Sequence, residues 1–150
     1  MSQDQYPKQL KETLEDFSLI ANRLERQEYL ISLADQFDGV KVPETIASQP
    51  YDEDHRVKAC ESDAYVWAVE QEDGTLAYYF DVLNPQGLSA MAVGVILGEA
   101  CSGAPLESVA AIDNELIFEL FGKNISMGKG QGLMGMVDMV TFEAKKRLNP

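Results

Sequence analysis

Three residues of this chain are of the kinds that carry nucleophilic or zinc chemistry: Cys60, Cys101 and His55. A structural zinc site needs about four Cys or His ligands, so these three residues cannot build one without carboxylates. A cysteine hydrolase needs a histidine base, and His55 lies in a charged loop beside Asp54 and Arg56, where we expect it to be solvated. We therefore predict no metal site, and the pattern argues against a hydrolase.

The two cysteines differ in their sequence neighbours. Cys101 follows the apolar run at residues 95–100, which is typical of a cysteine that packs in a core. Cys60 lies between Lys58 and Asp63, at the tip between two predicted strands, where another protein can reach it. A thiolate in that position is the nucleophile of any sulfur exchange. We interpret Cys60 as the reactive candidate, and an ordinary loop thiol stays open as the alternative.

Residues 130–135, GQGLMG, satisfy the pattern G-x-G-x-x-G of dinucleotide-binding turns. That fingerprint needs a further strand with an acidic residue about 20 positions on, and only fifteen residues follow Gly135. We interpret the segment as a flexible turn that opens the last helix. Its backbone N–H groups could approach a small anion, with Lys129 beside them.

Length and charge restrict the class of protein. With 150 residues, 45% of them hydrophobic, the chain can form a core, and we predict one domain over residues 1–150. Its 25 acidic and 12 basic residues give a net charge of −13, which disfavours nucleic acid and anionic lipid partners. No apolar run reaches the roughly 18 residues of a membrane span, and no signal-peptide core precedes the domain. We expect a cytoplasmic protein with free thiols.

Helical periodicity occurs at both ends of the chain. The first helical stretch begins near Leu10, is interrupted at Asn22-Arg23 and ends at Asp38-Gly39. Four later helices are predicted, at residues 88–101, from Pro105, at 113–121 and at about 131–147. Between the first pair and the sheet, residues 40–55 carry two prolines and an acidic run, which indicate an exposed loop.

Strand character lies in the middle of the chain. Residues 56–59, 65–69 and 76–82 are short β-branched or aromatic segments, and Asp73-Gly74 between the last two predicts a hairpin. The expected fold class is α+β: a small antiparallel three-stranded sheet packed with helices from both ends of the chain.

Residues 57–66, VKACESDAYV, resemble the V-x-G-C-x-S-x-V-[WY]-[IVL] stretch of the SufE family. Residues 129–133, KGQGL, are similar to its S-R-x-x-G-[LF] piece, and the order of elements from about residue 16 to 148 is also similar. The chain departs from the family at Ala59, where Gly is usual, at Lys129, where Arg is usual, and at residues 84–86. It is identified as a divergent member, with a SufE/NifU-like fold.

The resemblance implies a sulfur acceptor that stimulates a SufS-type cysteine desulfurase. In this interpretation Cys60 takes persulfide sulfur from the desulfurase and passes it to an iron–sulfur scaffold. Pyridoxal phosphate belongs to the partner, so no cofactor is expected here. A scaffold needs several thiolates whereas a carrier needs one. Because of the departures, a non-transferring regulatory or interaction protein that docks on a desulfurase stays open as the alternative, and the chain is not expected to be a stand-alone enzyme.

Two further residues are candidates for the support of the thiol. Lys129 takes the place of the family's Arg, and a cation near Cys60 would stabilise its thiolate. A persulfide is easily oxidised, so the resemblance suggests an apolar pocket that shields it. We expect Tyr65 and the glycine turn at residues 128–132 to line that pocket.

Overall fold

The computed structural model describes residues 3–58, 60, 62–123 and 125–149. This part of the chain contains six α-helices and one antiparallel pair of strands, so the α+β class is confirmed. Their bounds are α1 Lys8–Ser18, α2 Arg23–Ala34, β1 Ala64–Glu70, β2 Leu76–Val82, α3 Leu88–Cys101, α4 Leu106–Ala110, α5 Leu116–Phe121 and α6 Met127–Leu148.

The break between α1 and α2 falls at the predicted position. The Asn22 side chain caps α2, because its Oδ1 accepts hydrogen bonds from the backbone N–H groups of Leu24 (2.8 Å) and Glu25 (3.1 Å). The inner faces of both helices, including Phe17 and Leu30, belong to the main core. The helix pair therefore covers one side of α3, with which both helices pack.

Helix α3 runs through the centre of the molecule and has the predicted bounds. Ten of its residues are buried, as expected for a helix that is apolar all round. Gly98 allows Val40 to approach the backbone of α3 closely, because a Cβ at Gly98 would lie 2.6 Å from Val40 Cγ1. The glycine-containing side of α3 also packs against β2, since a Cβ at Gly98 would lie 3.3 Å from Phe80 Cε1.

The prediction of three strands is wrong for the described residues, because the sheet has two. Val66 pairs with Phe80 and Trp67 with Tyr79 in an antiparallel register. Of the predicted first strand, Arg56 forms one isolated bridge to Tyr65 and Ala59 lies outside the described residues. The chain turns immediately before β1, where Asp63 adopts a positive φ of 52°, so no ladder can continue there.

Non-strand segments bond to the outer edges of both strands. On β1, the carbonyl of Ala64 accepts from Val57 N (2.8 Å), and that of Val66 lies 2.9 Å from His55 Nδ1. On β2, Phe80 exchanges two bonds of 2.9 Å with Val40 and Val42, where Lys41 forms a parallel bridge. The remaining contacts on this edge are Gly103 N to Leu76 O and Tyr78 N to Ser102 Oγ, both 2.9 Å.

The segment at residues 40–55 is a mostly exposed loop, as predicted, and a few of its side chains pack on the outer face of the hairpin. Tyr51 contacts the rings of Tyr65 and Trp67, and its hydroxyl donates to Asp81 Oδ2 at 2.5 Å. Burial, and then the bond to Asp81, raises the pKa of Tyr51 to about 12. His55 stacks on Trp67 with 5.3 Å between ring centroids and is half-buried, so it is solvated only in part.

Helix α6 begins at Met127, four residues earlier than predicted. Ser126 caps it, since its hydroxyl oxygen accepts a hydrogen bond from Lys129 N at 3.4 Å. Residues 128–135 therefore lie inside a helix, and the prediction of a flexible glycine turn is wrong. None of the helices in the described residues has the length and apolar character that a membrane crossing requires.

Candidate functional site

Cys60 lies in the cysteine loop, defined here as residues 57–63, of which 59 and 61 are outside the described part. The loop precedes β1, as predicted, but its thiol does not lie on the surface. Cys60 is only 7% exposed and belongs to the main hydrophobic core, together with Val57 and Ala64. The structure thus places an unpaired cysteine in a short loop, with its side chain buried in the core.

A few backbone hydrogen bonds and one ion pair hold the end of the cysteine loop. Leu83 N donates to Asp63 O at 3.1 Å and Asn84 N donates to Ser62 O at 3.2 Å, so the loop is tied to the exit of β2. Arg56 Nη2 lies 2.7 Å from Asp63 Oδ1. The hydrogen bond to Asp63 raises the pKa of Arg56, but both side chains are partly exposed, so the pair stabilises the loop only modestly.

Two glycines allow helices to press against the cysteine loop. A Cβ at Gly135 of α6 would lie 2.9 Å from Val57 Cγ1 and 3.4 Å from Lys58 O. A Cβ at Gly87, the residue before α3, would lie 2.9 Å from Ser62 Cβ. Gly135 belongs to the glycine-rich motif, and the close approach of the loop explains why this position has no side chain.

The structure separates Tyr65 from Cys60. Successive side chains of a strand point to opposite faces, and β1 places Ala64 and Val66 in the core that contains Cys60. Tyr65 lies on the other face, stacked on Trp67 with 6.0 Å between ring centroids. The predicted lining role of Tyr65 is therefore not supported by the described residues.

Lys129 lies on the first turn of α6, and no hydrogen bond or ion pair joins its side chain to the described part of the cysteine loop. It lines a cleft of about 540 Å³ between α2, the start of α3, α5 and the start of α6. We call this the basic cleft. Its basic residues are Arg23, Arg26 and Lys129, and its apolar walls include Leu30, Leu88, Leu120, Phe121 and Ile125.

The basic cleft was not predicted, because its walls come from four segments that are distant in sequence. It lies next to the cysteine loop: Gln86 and Leu88 line the cleft, and Gly87 between them packs on Ser62. The sequence indicated this region only through the suggestion that a small anion could bind beside Lys129. That suggestion assumed a glycine turn, whereas the glycines beside Lys129 form part of a helix.

Cys101 has no route to solvent. It is fully buried at the end of α3, and burial raises the pKa of its thiol to about 12. At neutral pH it is a neutral packing residue, as its sequence neighbours predict. Within the described residues, no cluster of three His, Cys, Asp or Glu side chains is arranged to hold a metal ion.

The comparisons agree with this architecture. Among solved structures, the solution structure of a hypothetical protein from Thermus thermophilus matches with a TM-score of 0.67 and 23% sequence identity. The match covers 97% of this chain and 99% of that chain, and at this identity it shows the fold alone. No curated protein matches. The family model SufE, described as an Fe-S metabolism associated domain, matches residues 11–144. The chain therefore belongs to the SufE family, which is associated with Fe–S metabolism.

Proposed function

We propose that this protein is a cytoplasmic sulfur carrier, which accepts persulfide sulfur on Cys60 from a SufS-type cysteine desulfurase and delivers it to an iron–sulfur scaffold. The observation that carries the proposal is the position of Cys60: an unpaired, buried thiol in a short loop of a chain of the SufE family. Cys101, the other thiol, ends a buried helix and is out of reach of a partner.

The transfer is a thiol–persulfide exchange without net oxidation. The Cys60 thiolate attacks the terminal sulfur of the desulfurase persulfide, and a new S–S bond forms as the original S–S bond breaks. The desulfurase cysteine leaves as a thiolate, and Cys60 holds the persulfide. One thiol on this chain is sufficient, and the pyridoxal phosphate that generates the sulfur stays with the partner.

Burial of Cys60 requires the cysteine loop to open during transfer. The backbone bonds at Ser62 and Asp63 and the exposed Arg56–Asp63 pair hold the loop. An exposed ion pair of this kind contributes little stability, so we expect the loop to open at a lower free-energy cost than unfolding of the domain. In the closed state the core shields the thiol or persulfide from oxidants.

Mass spectrometry after incubation with a desulfurase and cysteine tests the proposal. The wild-type chain should gain one sulfur atom on Cys60, and desulfurase turnover should rise. Cys60→Ser should abolish both effects, whereas Cys101→Ala should preserve them, because Cys101 only packs in the core.

Two results would contradict the carrier. Sulfur on a Cys60→Ser chain would place the acceptor elsewhere. A wild-type chain that binds the desulfurase and changes its turnover without gaining sulfur would instead support the alternative, a regulatory protein of the same fold.

A further inference from the structure

The basic cleft has the opposite charge to the rest of the molecule. The chain has 25 acidic and 12 basic residues, yet the described residues that line the cleft include three bases and no acid. Like charges repel at close range, so most of this surface rejects an anionic partner while the cleft attracts one. The cleft is therefore a locus of electrostatic recognition on an otherwise acidic protein.

The three bases of the cleft are not equivalent. Arg26 is held by the fold, because its guanidinium donates to the carbonyls of Glu119 (2.8 Å), Phe17 (2.9 Å) and Ile20 (3.2 Å). Within the described residues, the side chains of Arg23 and Lys129 have no hydrogen bond and no ion pair. Two cations at the cleft are therefore free to bind an anion.

The rim of the cleft is apolar as well as basic. Leu88 is 43% exposed and Ile31 is 41% exposed, and both contribute to the cleft. Exposed large apolar side chains beside cations are typical of a surface that a protein partner covers. In addition, α3 begins at Leu88 without a side-chain cap, and its first residues Leu88 and Ser89 line the cleft, so the positive end of the helix dipole favours negative charge near them.

The wall of the cleft at residues 86–88 also contacts the cysteine loop. Gly87 packs on Ser62 between the cleft residues Gln86 and Leu88, and Asn84 N donates to Ser62 O. A partner seated in the cleft would consequently lie beside the loop that must open to expose Cys60.

We propose that the basic cleft docks an acidic segment of the sulfur donor, with carboxylates facing Arg23 and Lys129 and an apolar side chain between Ile31 and Leu88. The identity of the donor rests on the proposed function. Charge complementarity selects this occupant: an acidic segment is repelled by most of the surface and is retained only here, which fixes the orientation of the partner next to Cys60.

Charge reversal tests the docking site. Arg23→Glu combined with Lys129→Glu should weaken the Kd for the holo desulfurase by about tenfold or more at low salt, because two attractions become repulsions. The matched control is Lys8→Glu with Lys41→Glu, which changes the net charge equally at exposed lysines outside the cleft. The control should bind within about twofold of wild type. Titration calorimetry at two salt concentrations measures all three chains.

Equal Kd values for the cleft variant and the control would overturn the docking proposal. If the double reversal does not fold, Arg23→Ala with Lys129→Ala should still weaken binding severalfold, and wild-type affinity in that pair would also overturn it. Sulfur acceptance by the wild-type chain from glutathione persulfide, which has no docking segment, tests Cys60 separately. A failure of the carrier and a failure of the docking site are thus distinguishable.

Discussion

The regions around the two cysteines differ in how the chain holds a buried thiol. Cys60 and Cys101 are both buried and both unpaired. Cys101 ends the central helix and is fully buried, whereas Cys60 is part of a short loop held by a few bonds. We therefore expect the free energy needed to expose each thiol to differ greatly, because local opening costs much less than loss of the core.

Alkylation by iodoacetamide should sharpen this comparison most. Cys101 should react several orders of magnitude more slowly than a free thiol, because its exposure requires global unfolding, which costs about 5–15 kcal/mol in domains of this size. Cys60 should react more slowly than a free peptide of residues 57–63, but far faster than Cys101. Mass spectrometry resolves the two rates. Equal rates would contradict the comparison, and a Cys60 rate equal to that of the peptide would show that the thiol is not shielded.

Glycine substitutions should separate global stability from loop closure. Gly98→Ala places a Cβ 2.6 Å from Val40 Cγ1 and should lower the free energy of unfolding by about 1–2 kcal/mol, the overpacking cost less the gain in helix propensity. Gly135→Ala presses on Val57 at 2.9 Å and should mainly loosen the cysteine loop, so Cys60 alkylation accelerates severalfold. Gly39→Ala, with no atom within 4 Å, is the neutral control. Denaturant titration and alkylation rates measure both effects. The distinction between global stability and loop closure fails if Gly98→Ala accelerates the alkylation of Cys60 as much as Gly135→Ala does.

Alkaline pH should show the smallest of these effects. Burial raises the pKa of Cys101 from 9.0 to about 12, so the fold favours the neutral thiol. This contribution to stability is complete below pH 9 and is lost as the pH rises from 9 towards 12. Between pH 9 and pH 10 the free energy of unfolding of the wild-type chain should fall by about 1 kcal/mol more than that of the Cys101→Ala chain. Denaturant titrations at both pH values measure the difference. An equal fall in the free energy of unfolding for the two chains would contradict the effect of burial on the Cys101 thiol.

The sequence predicts elements better than it predicts how they meet. The apolar composition of residues 88–101 and the stop at Ser102-Gly103 placed α3 at its observed bounds, and the break at Asn22 follows from its capping side chain. The burial of Cys60 could not be predicted, because its neighbours in sequence are polar while the contacts that cover its loop come from Gly87 and Gly135. Packing between distant segments thus determined the environment of the thiol.

Other errors came from signals that the sequence does contain. Strict alternation along β1 already places Tyr65 on the face opposite Ala64 and Val66, so its assignment to a pocket around Cys60 was avoidable. The third strand failed for a different reason: Asp63 adopts a positive φ, which is uncommon for a residue other than glycine, and only the structure reveals it.

The hydrogen bonds along the outer edges of the hairpin have a consequence for association. An exposed strand edge is a template for the backbone of another chain, and it invites both aggregation and strand addition by a partner. Here Val57 and His55 bond to the edge of β1, while Ser102, Gly103 and the segment at residues 40–42 bond to β2. Along these stretches of both edges, strand addition by a partner and sheet growth between copies are consequently disfavoured by the fold itself.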